Sequence, residues 1–213
     1  MRFENWGLID YQQALDRQMK LVDLVASRQA DETVILCQHP PVVTLGKSSD
    51  ESDLQGWQGA TVEISRGGRA TYHGPSQIVV YPILNLDRSD RRCLKPRDLH
   101  GLLRCYEQMV IDAFCDLVPD LRAGLGEKSD ADLSMTGVWM GQSKLASIGI
   151  AVRRWVSYHG IAVNLTKDPL AFSGIKACGF GPDKMTSLQA LSRPVDYFEA
   201  AYRLQQAARQ AFY

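Results

Sequence analysis

The sequence has no net charge, no close pair of cysteines and no long apolar run. Lys and Arg number 24, as do Asp and Glu. No bulk field therefore attracts a polyanion, which excludes nucleic-acid binding by phosphate neutralisation and polybasic attachment to a membrane surface. The five cysteines, Cys37, Cys93, Cys105, Cys115 and Cys178, are odd in number, so they cannot all pair within the chain. None lies in a CxxC, so neither a disulfide framework nor a zinc knuckle is expected. They read as cytosolic thiols, mostly buried as small hydrophobes. The longest apolar runs, such as Thr33–Cys37 and Ile78–Ile83, are strand-sized, too short for a transmembrane helix. The N-terminal MRFENWGLIDYQQ carries charge where a signal peptide needs apolar residues, so a cytoplasmic location is expected. GK[ST] and G-x-G-x-x-G are both absent. No two of His39, His73, His100 and His159 stand three or four apart, so no metal is assigned. Nothing is heptad-like, and a monomer is the expectation.

What is present is ordinary globular material. The chain has 213 residues, 45% apolar and 23% charged, enough for one sizeable core without staples. One domain over residues 1–213 is expected.

Apolar spacings of three, four and seven predict a helix over Asp10–Arg28, with Asp10 as N-cap. Thr33–Cys37 reads as a buried strand, broken by His39-Pro40-Pro41 and resumed at Val42–Leu45. Lys47–Gly59 reads as a loop, Thr61–Ser65 as a short strand and Ile78–Ile83 as another. A charged loop over Asp87–Arg97 precedes a helix over Leu99–Leu117, which Pro119 ends. Leu133–Met140, Lys144–Arg153 and Trp155–Leu165 predict three successive strands, with a tight turn at Gly141-Gln142. Thr186 and Gln189 suggest a capping box opening a short helix. Pro194 is expected in the first turn of a last helix reaching about Gln210. Strands and helices come in runs, which favours an α+β fold: a mixed β-sheet with packed helices.

Three segments carry chemistry. Arg66–Gln77, RGGRATYHGPSQ, sets three glycines among Arg66, Arg69 and His73. Glycines let a backbone approach a ligand closely, although a plain hairpin loop fits this stretch equally well. Lys144 stands in the otherwise apolar KLASIGIAV. Turned outward it is an ordinary surface lysine; turned inward it becomes a usable base. Cys178, in KACGFGP, has Lys176 nearby and glycines after it, the surroundings a nucleophilic thiol needs. Cys37, Cys105 and Cys115 sit in apolar elements, and Cys93 lies in a charged loop without a glycine framework. Cys178 ranks first as a nucleophile.

These segments in this order resemble the lipoyl (octanoyl) transferase family. The match runs through RGGRATYHGPSQIVVYPI, TGVWMGQSKLASIGIAVRRWVSYHGIAVNL and ACGFGPDKMTSL, and more weakly through HPPVVTLG. The resemblance implies a fold like the biotin and lipoate protein ligases. It also implies that Cys178 takes an octanoyl group from octanoyl-acyl-carrier protein as a thioester. The acceptors would be lysines on lipoyl domains of 2-oxoacid dehydrogenase E2 subunits and on the glycine-cleavage H protein. Lys144 matches the family's paired lysine, which favours the thiolate and serves as general acid and base. Arg66, Gly67, Gly68, Arg69, Ala70, Thr71, Tyr72 and His73 match its substrate-binding segments, as do Ser147, Ile148, Gly149, Gly160, Ile161 and Ala162. No cofactor is implied, because the donor is already a thioester. The rivals are an ATP-dependent ligase of the same fold, a thioesterase and a non-catalytic binding protein.

Two positions depart from the family's usual motif. Ser76 stands where glycine is common and would cost roughly 1–2 kcal/mol if φ were positive. Ala177 stands where proline often precedes the cysteine, which is expected to loosen that loop. Because the overall charge is zero, attraction of acidic partners would need a local patch. Arg153, Arg154, Lys176 and Lys184 are its candidates.

Overall fold

The computed structural model describes residues 1–91, 94–124 and 135–212. Cys93 and the first residues of the expected Leu133–Met140 strand lie outside them. Aliphatic and β-branched runs form a seven-stranded sheet, as such side chains do when both faces are covered. Its strands are β1 (Arg2–Leu8), β2 (Thr33–Gln38), β6 (Gln77–Ile83), β7 (Leu121–Ala123), β8 (Gly137–Met140), β9 (Ser143–Arg153) and β10 (Val156–Asn164). The spatial order is β1-β2-β6-β10-β9-β8-β7. Only the β1–β2 pair is parallel. A second sheet of three strands, in the order β4-β3-β5, joins β3 (Val42–Leu45), β4 (Ala60–Glu63) and β5 (Thr71–His73).

Three helices pack on the large sheet. α1 (Tyr11–Ala26) is capped by Asp10, whose carboxylate accepts the Gln13 N–H at 3.0 Å. It covers one face, with Ala14, Val22 and Val25 against Val79, Tyr81 and Ala162. α2 (Leu99–Phe114) and α3 (Tyr197–Phe212) cover the other face, around Met109, Val110, Leu204 and Ala208. Every residue of β6 and β10 is buried. A third cluster, of Val43, Ala70, Tyr72, Phe172, Ile175 and Ala177, joins the small sheet to the Cys178 loop.

The α+β expectation holds, with local differences. α2 stops at Phe114, short of Leu117, and Cys115 at its C-cap is exposed rather than inert in an apolar face. No helix starts at Thr186. The Gln189 side chain accepts the Lys167 N–H at 2.8 Å instead of turning back, and Ser187 caps a tight turn through the Ala190 N–H. Pro194 precedes α3 rather than entering it; Asp196 accepts the Glu199 N–H at 2.8 Å and is the cap. Arg154 and Trp155, both with positive φ, make the turn before β10, so Trp155 is not a strand residue. Arg66–Gln77 is not one loop, since it contains β5. His159 lies inside β10.

The four basic candidates do not form one patch. Arg153 and Arg154 meet Asp23 of α1 at 3.3 and 3.8 Å, at the far end of β9. Lys184 bonds Gln142, just before β9 begins, at 3.2 Å. An eleven-residue strand separates the two ends by about 30 Å.

Candidate active site

Lys144 points inward. It is 1% exposed, and its ammonium lies 5.2 Å from the centroid of Trp139 and 5.7 Å from that of Phe180. Cation–π contacts of this kind stabilise a desolvated ammonium. Phe180 belongs to the Cys178 loop, so the loop roofs the lysine. Gly137 makes room below: a Cβ there would stand 2.6 Å from Lys144 Cε. Buried Glu107 of α2 accepts the Gly137 N–H at 2.9 Å and fixes that strand start.

Cys178 is half-buried and has φ +54°. That conformation is strained for a residue with a side chain, and such strain is frequent at reactive positions. The neighbourhood holds it there. Its N–H donates to the Ala70 carbonyl at 2.7 Å, and turns close through Gly179 N–H to Lys176 O and Phe180 N–H to Ala177 O. Ala177 is fully buried in the third cluster. The loop is thus tied down by packing, and the expected loosening by Ala177 is not what the structure has. The thiol reaches Ser147 Oγ at 3.8 Å.

The turn carrying Ser76 is not strained either, because Ser76 has no positive φ. Its hydroxyl donates to Asp168 at 3.2 Å, beside the Tyr72 hydroxyl at 3.1 Å. Asp168 also accepts the N–H groups of Leu170 and Ala171. Ser76 therefore joins the β5–β6 turn to the segment that leads into the Cys178 loop.

A second anchor, Asp53, falls in the stretch that reads as a featureless loop. It sits in a short 3-10 turn and is 0% exposed. It accepts Arg69 Nε–H at 2.9 Å, while its own carbonyl accepts the Lys176 N–H at 2.8 Å. Arg69 also pairs with Asp50 at 2.7 Å and packs on Gly179. Asp53 thus couples the glycine-rich turn to the nucleophile loop. Asp53→Asn is expected to lose about 1–3 kcal/mol of stability. It should also slow acylation of Cys178 about tenfold, because the Ala70 grip loosens. Thermal unfolding and single-turnover acylation check the two effects separately.

Two cavities meet at Cys178. An open groove of about 420 Å³ is lined by Lys144, Cys178, Gly67, Gly68, Arg69 and neighbours that include Leu103 and Thr136. A smaller cavity of about 30 Å³ is lined by Thr71, His73, Ser147, His159 and Gly160–Ala162, together with Tyr11 and Tyr81. Arg66, Ile148, Gly149 and Cys178 line both. Of the sequence-predicted site residues, Ala70 and Tyr72 line neither. Strand alternation explains it: Thr71 and His73 face the cavity, while Ala70 and Tyr72 turn into the third cluster. Tyr72 packs there against Trp57 and Phe172. Arg66 is a buried clasp. Its terminal nitrogens donate to the carbonyls of Gly67, Arg69 and Thr44 and to Thr44 Oγ1 at 2.7–3.0 Å.

Tyr11, Tyr81, His39 and His159 were not legible as site residues. The His39 tautomer follows from its partners: the Ile9 carbonyl can only accept, so Nδ1 donates to it at 2.8 Å. Nε2 then accepts from the Tyr81 hydroxyl at 2.8 Å. Burial pushes the imidazoles of His39 and His73 down, and that of His159 to about 3, with the Arg66 charge adding to the last two. Burial also raises the Tyr11 and Tyr81 hydroxyls and lowers the Arg66 guanidinium. The imidazoles are neutral at pH 7.

A histidine held below its ordinary value binds its proton less readily folded than unfolded. Stability is therefore full above about pH 6.5 and falls as pH drops toward about 3. His159→Gln is expected to flatten this acid limb by on the order of 2 kcal/mol between pH 7 and 4.5. Urea unfolding of both proteins at the two pH values checks it.

This arrangement defines a class of protein: an α+β acyl-group enzyme with a loop thiol above a buried lysine. The chain belongs to the family of lipoyl protein ligase A/B catalytic domains, whose model matches residues 10–209. It is 43% identical over 194 residues to an octanoyltransferase of Bdellovibrio bacteriovorus, covering 89% of this chain and 88% of that protein. Among solved structures, Ta0514 of T. acidophilum, a lipoate protein ligase by its description, superposes with a TM-score of 0.69. It is 15% identical, with 99% of this chain and 84% of that chain covered. The biotin protein ligase of Aquifex aeolicus follows at a TM-score of 0.51 and 11% identity, with 99% and 68% covered. These two likenesses bear on the fold alone, and they agree with the expected biotin and lipoate protein ligase architecture. No helix among the described residues is long and apolar enough to cross a membrane.

Proposed function

We propose that this chain transfers an octanoyl group from octanoyl-acyl-carrier protein to a lysine of lipoyl domains through a thioester on Cys178. Octanoyl transfer for protein lipoylation is the reaction, and the chain is an acyltransferase. The observation that carries the route is that Cys178 and Lys144 line one groove, the first in the loop that roofs the second.

In the first half-reaction the Cys178 thiol gives its proton to neutral Lys144 and its sulfur attacks the donor's thioester carbonyl. The tetrahedral species expels the carrier's thiolate, which takes that proton back from Lys144. One thioester replaces another, so the step is close to isoenergetic. In the second half-reaction the acceptor amine attacks the Cys178 thioester, and Lys144 in its neutral form accepts the amine's proton. The Cys178 thiolate leaves, and the amide is the more stable product. The acceptors are lipoyl domains of the E2 and H-protein kind, and one 213-residue catalytic unit does both steps.

Nothing here needs ATP, which separates this reading from a ligase of the same fold. Incubation with octanoyl-acyl-carrier protein and a lipoyl domain should yield octanoylated lysine without nucleotide. Modification from free octanoate with ATP, and none from the acyl carrier, would establish the ligase instead.

A further inference from the structure

Glu107 is a buried acid that neither half-reaction uses. It is 0% exposed on α2, and a carboxyl group kept from water is costly unless it is engaged. The same helix turns Leu102, Tyr106, Met109 and Val110 into the apolar core, so an acid in that series is not there for burial energy.

Glu107 takes up a backbone group beside the groove instead. One of its oxygens accepts the Gly137 N–H at 2.9 Å. The Gly137 carbonyl accepts the Gly124 N–H at 2.9 Å, so both polar groups of this first β8 residue are held. Gly137 has φ +141° and touches the lysine stem. A Cβ there would stand 2.6 Å from Lys144 Cε, and it would also strike the Ala146 carbonyl. The opposing strand is irregular at the same level. Val138 pairs with Ala146 and Trp139 with Lys144, which leaves Leu145 as an extra residue on β9. Such a bulge re-aims the side chains beside it, and Lys144 flanks this one. The direction of Lys144 therefore depends on where β8 begins, and Glu107 fixes that point.

We propose that Glu107 is a positioning residue for the proton transfer. By holding the Gly137 N–H it sets the surface on which the Lys144 stem rests, and so aims the amine at the Cys178 thioester. This rests on the reading of Lys144 as the base. Glu107 itself lines neither cavity, so its effect passes through Lys144. A misplacement of about 1 Å at a catalytic group costs on the order of 10²-fold in rate.

The test is the chase of a preformed octanoyl-enzyme by a lipoyl domain, followed by intact mass. Glu107→Leu is expected to slow the chase by about tenfold or more. Glu107→Gln keeps an oxygen for the Gly137 N–H and should chase at least fivefold faster than Glu107→Leu. In a Lys144→Met background, Glu107→Leu should change the rate less than threefold, because residues that act as a unit are not additive. A loss that merely reflects weakened folding would multiply with the Lys144 loss instead. Only chains that have folded and been acylated enter the rate, so partial loss of folded material does not alter it. Should Glu107→Leu yield no acyl-enzyme, Glu107→Asp, one methylene too short to reach Gly137, replaces it under the same criteria. Slowing of less than tenfold, a smaller recovery by Glu107→Gln, or a threefold or larger effect in the Lys144→Met background overturns the proposal. Those results leave Lys144 as the base. A Lys144→Met enzyme that chases like the parent defeats the reading of Lys144 and this inference with it.

Discussion

Cys178→Ala is expected to form no octanoyl adduct and to transfer nothing above background. Removal of a covalent nucleophile costs on the order of 10⁴–10⁶ in turnover in other enzymes. The other cysteines among the described residues cannot substitute. Cys37 and Cys105 are buried, and burial raises the Cys37 thiol far from a reactive state. Cys115 is exposed, but it lies at the end of α2 and lines neither cavity. Cys178→Ser should be almost as inactive, since a hydroxyl is a far weaker nucleophile at neutral pH. Neither substitution should unfold the protein, because the Cys178 N–H grip on Ala70 belongs to the backbone. Cys178→Gly sharpens the point. It relieves the left-handed φ of +54°, so it should be no less stable than Cys178→Ala and equally inactive. The strain is then tied to function, not to folding.

Lys144→Met is expected to lower transfer to the lipoyl domain by about 10²–10⁴-fold. Methionine keeps an apolar stem over Gly137 and against Trp139, so most of the packing survives. The two half-reactions should respond differently. The acceptor amine must lose a proton in the second, so chase of a preformed acyl-enzyme should suffer most. Lys144→Arg separates charge from proton transfer, since a guanidinium stays cationic but cannot act as a base. It should retain more of the acylation step than Lys144→Met and fail equally in the chase. Equal chase rates in all three proteins would remove Lys144 from the proton transfer.

Much of this was legible from pattern alone. The α1 stripe, its Asp10 cap and the β9–β10 pair follow from periodicity and turn residues, which are local. Cys178 and Lys144 could be singled out because each is unusual for its surroundings. What escaped was set by tertiary contacts. Asp53 looks like any loop aspartate until Arg69 meets it. Tyr11 reads as one more apolar helix position, yet its hydroxyl reaches His159, distant in sequence, at 3.4 Å. The capping box at Thr186 failed because Gln189 had a better partner in the Lys167 N–H. The proposed basic patch failed for a geometric reason, since β9 holds its members apart.

The acyl-enzyme itself is the most direct test. The protein is loaded with octanoyl-acyl-carrier protein, freed of donor, and mixed with a lipoyl domain without nucleotide. The account requires the octanoyl mass to sit on the peptide containing Cys178 and then to move to the lipoyl-domain lysine. An adduct that stays on the enzyme, or transfer that proceeds only while the carrier is present and without any adduct, would contradict it.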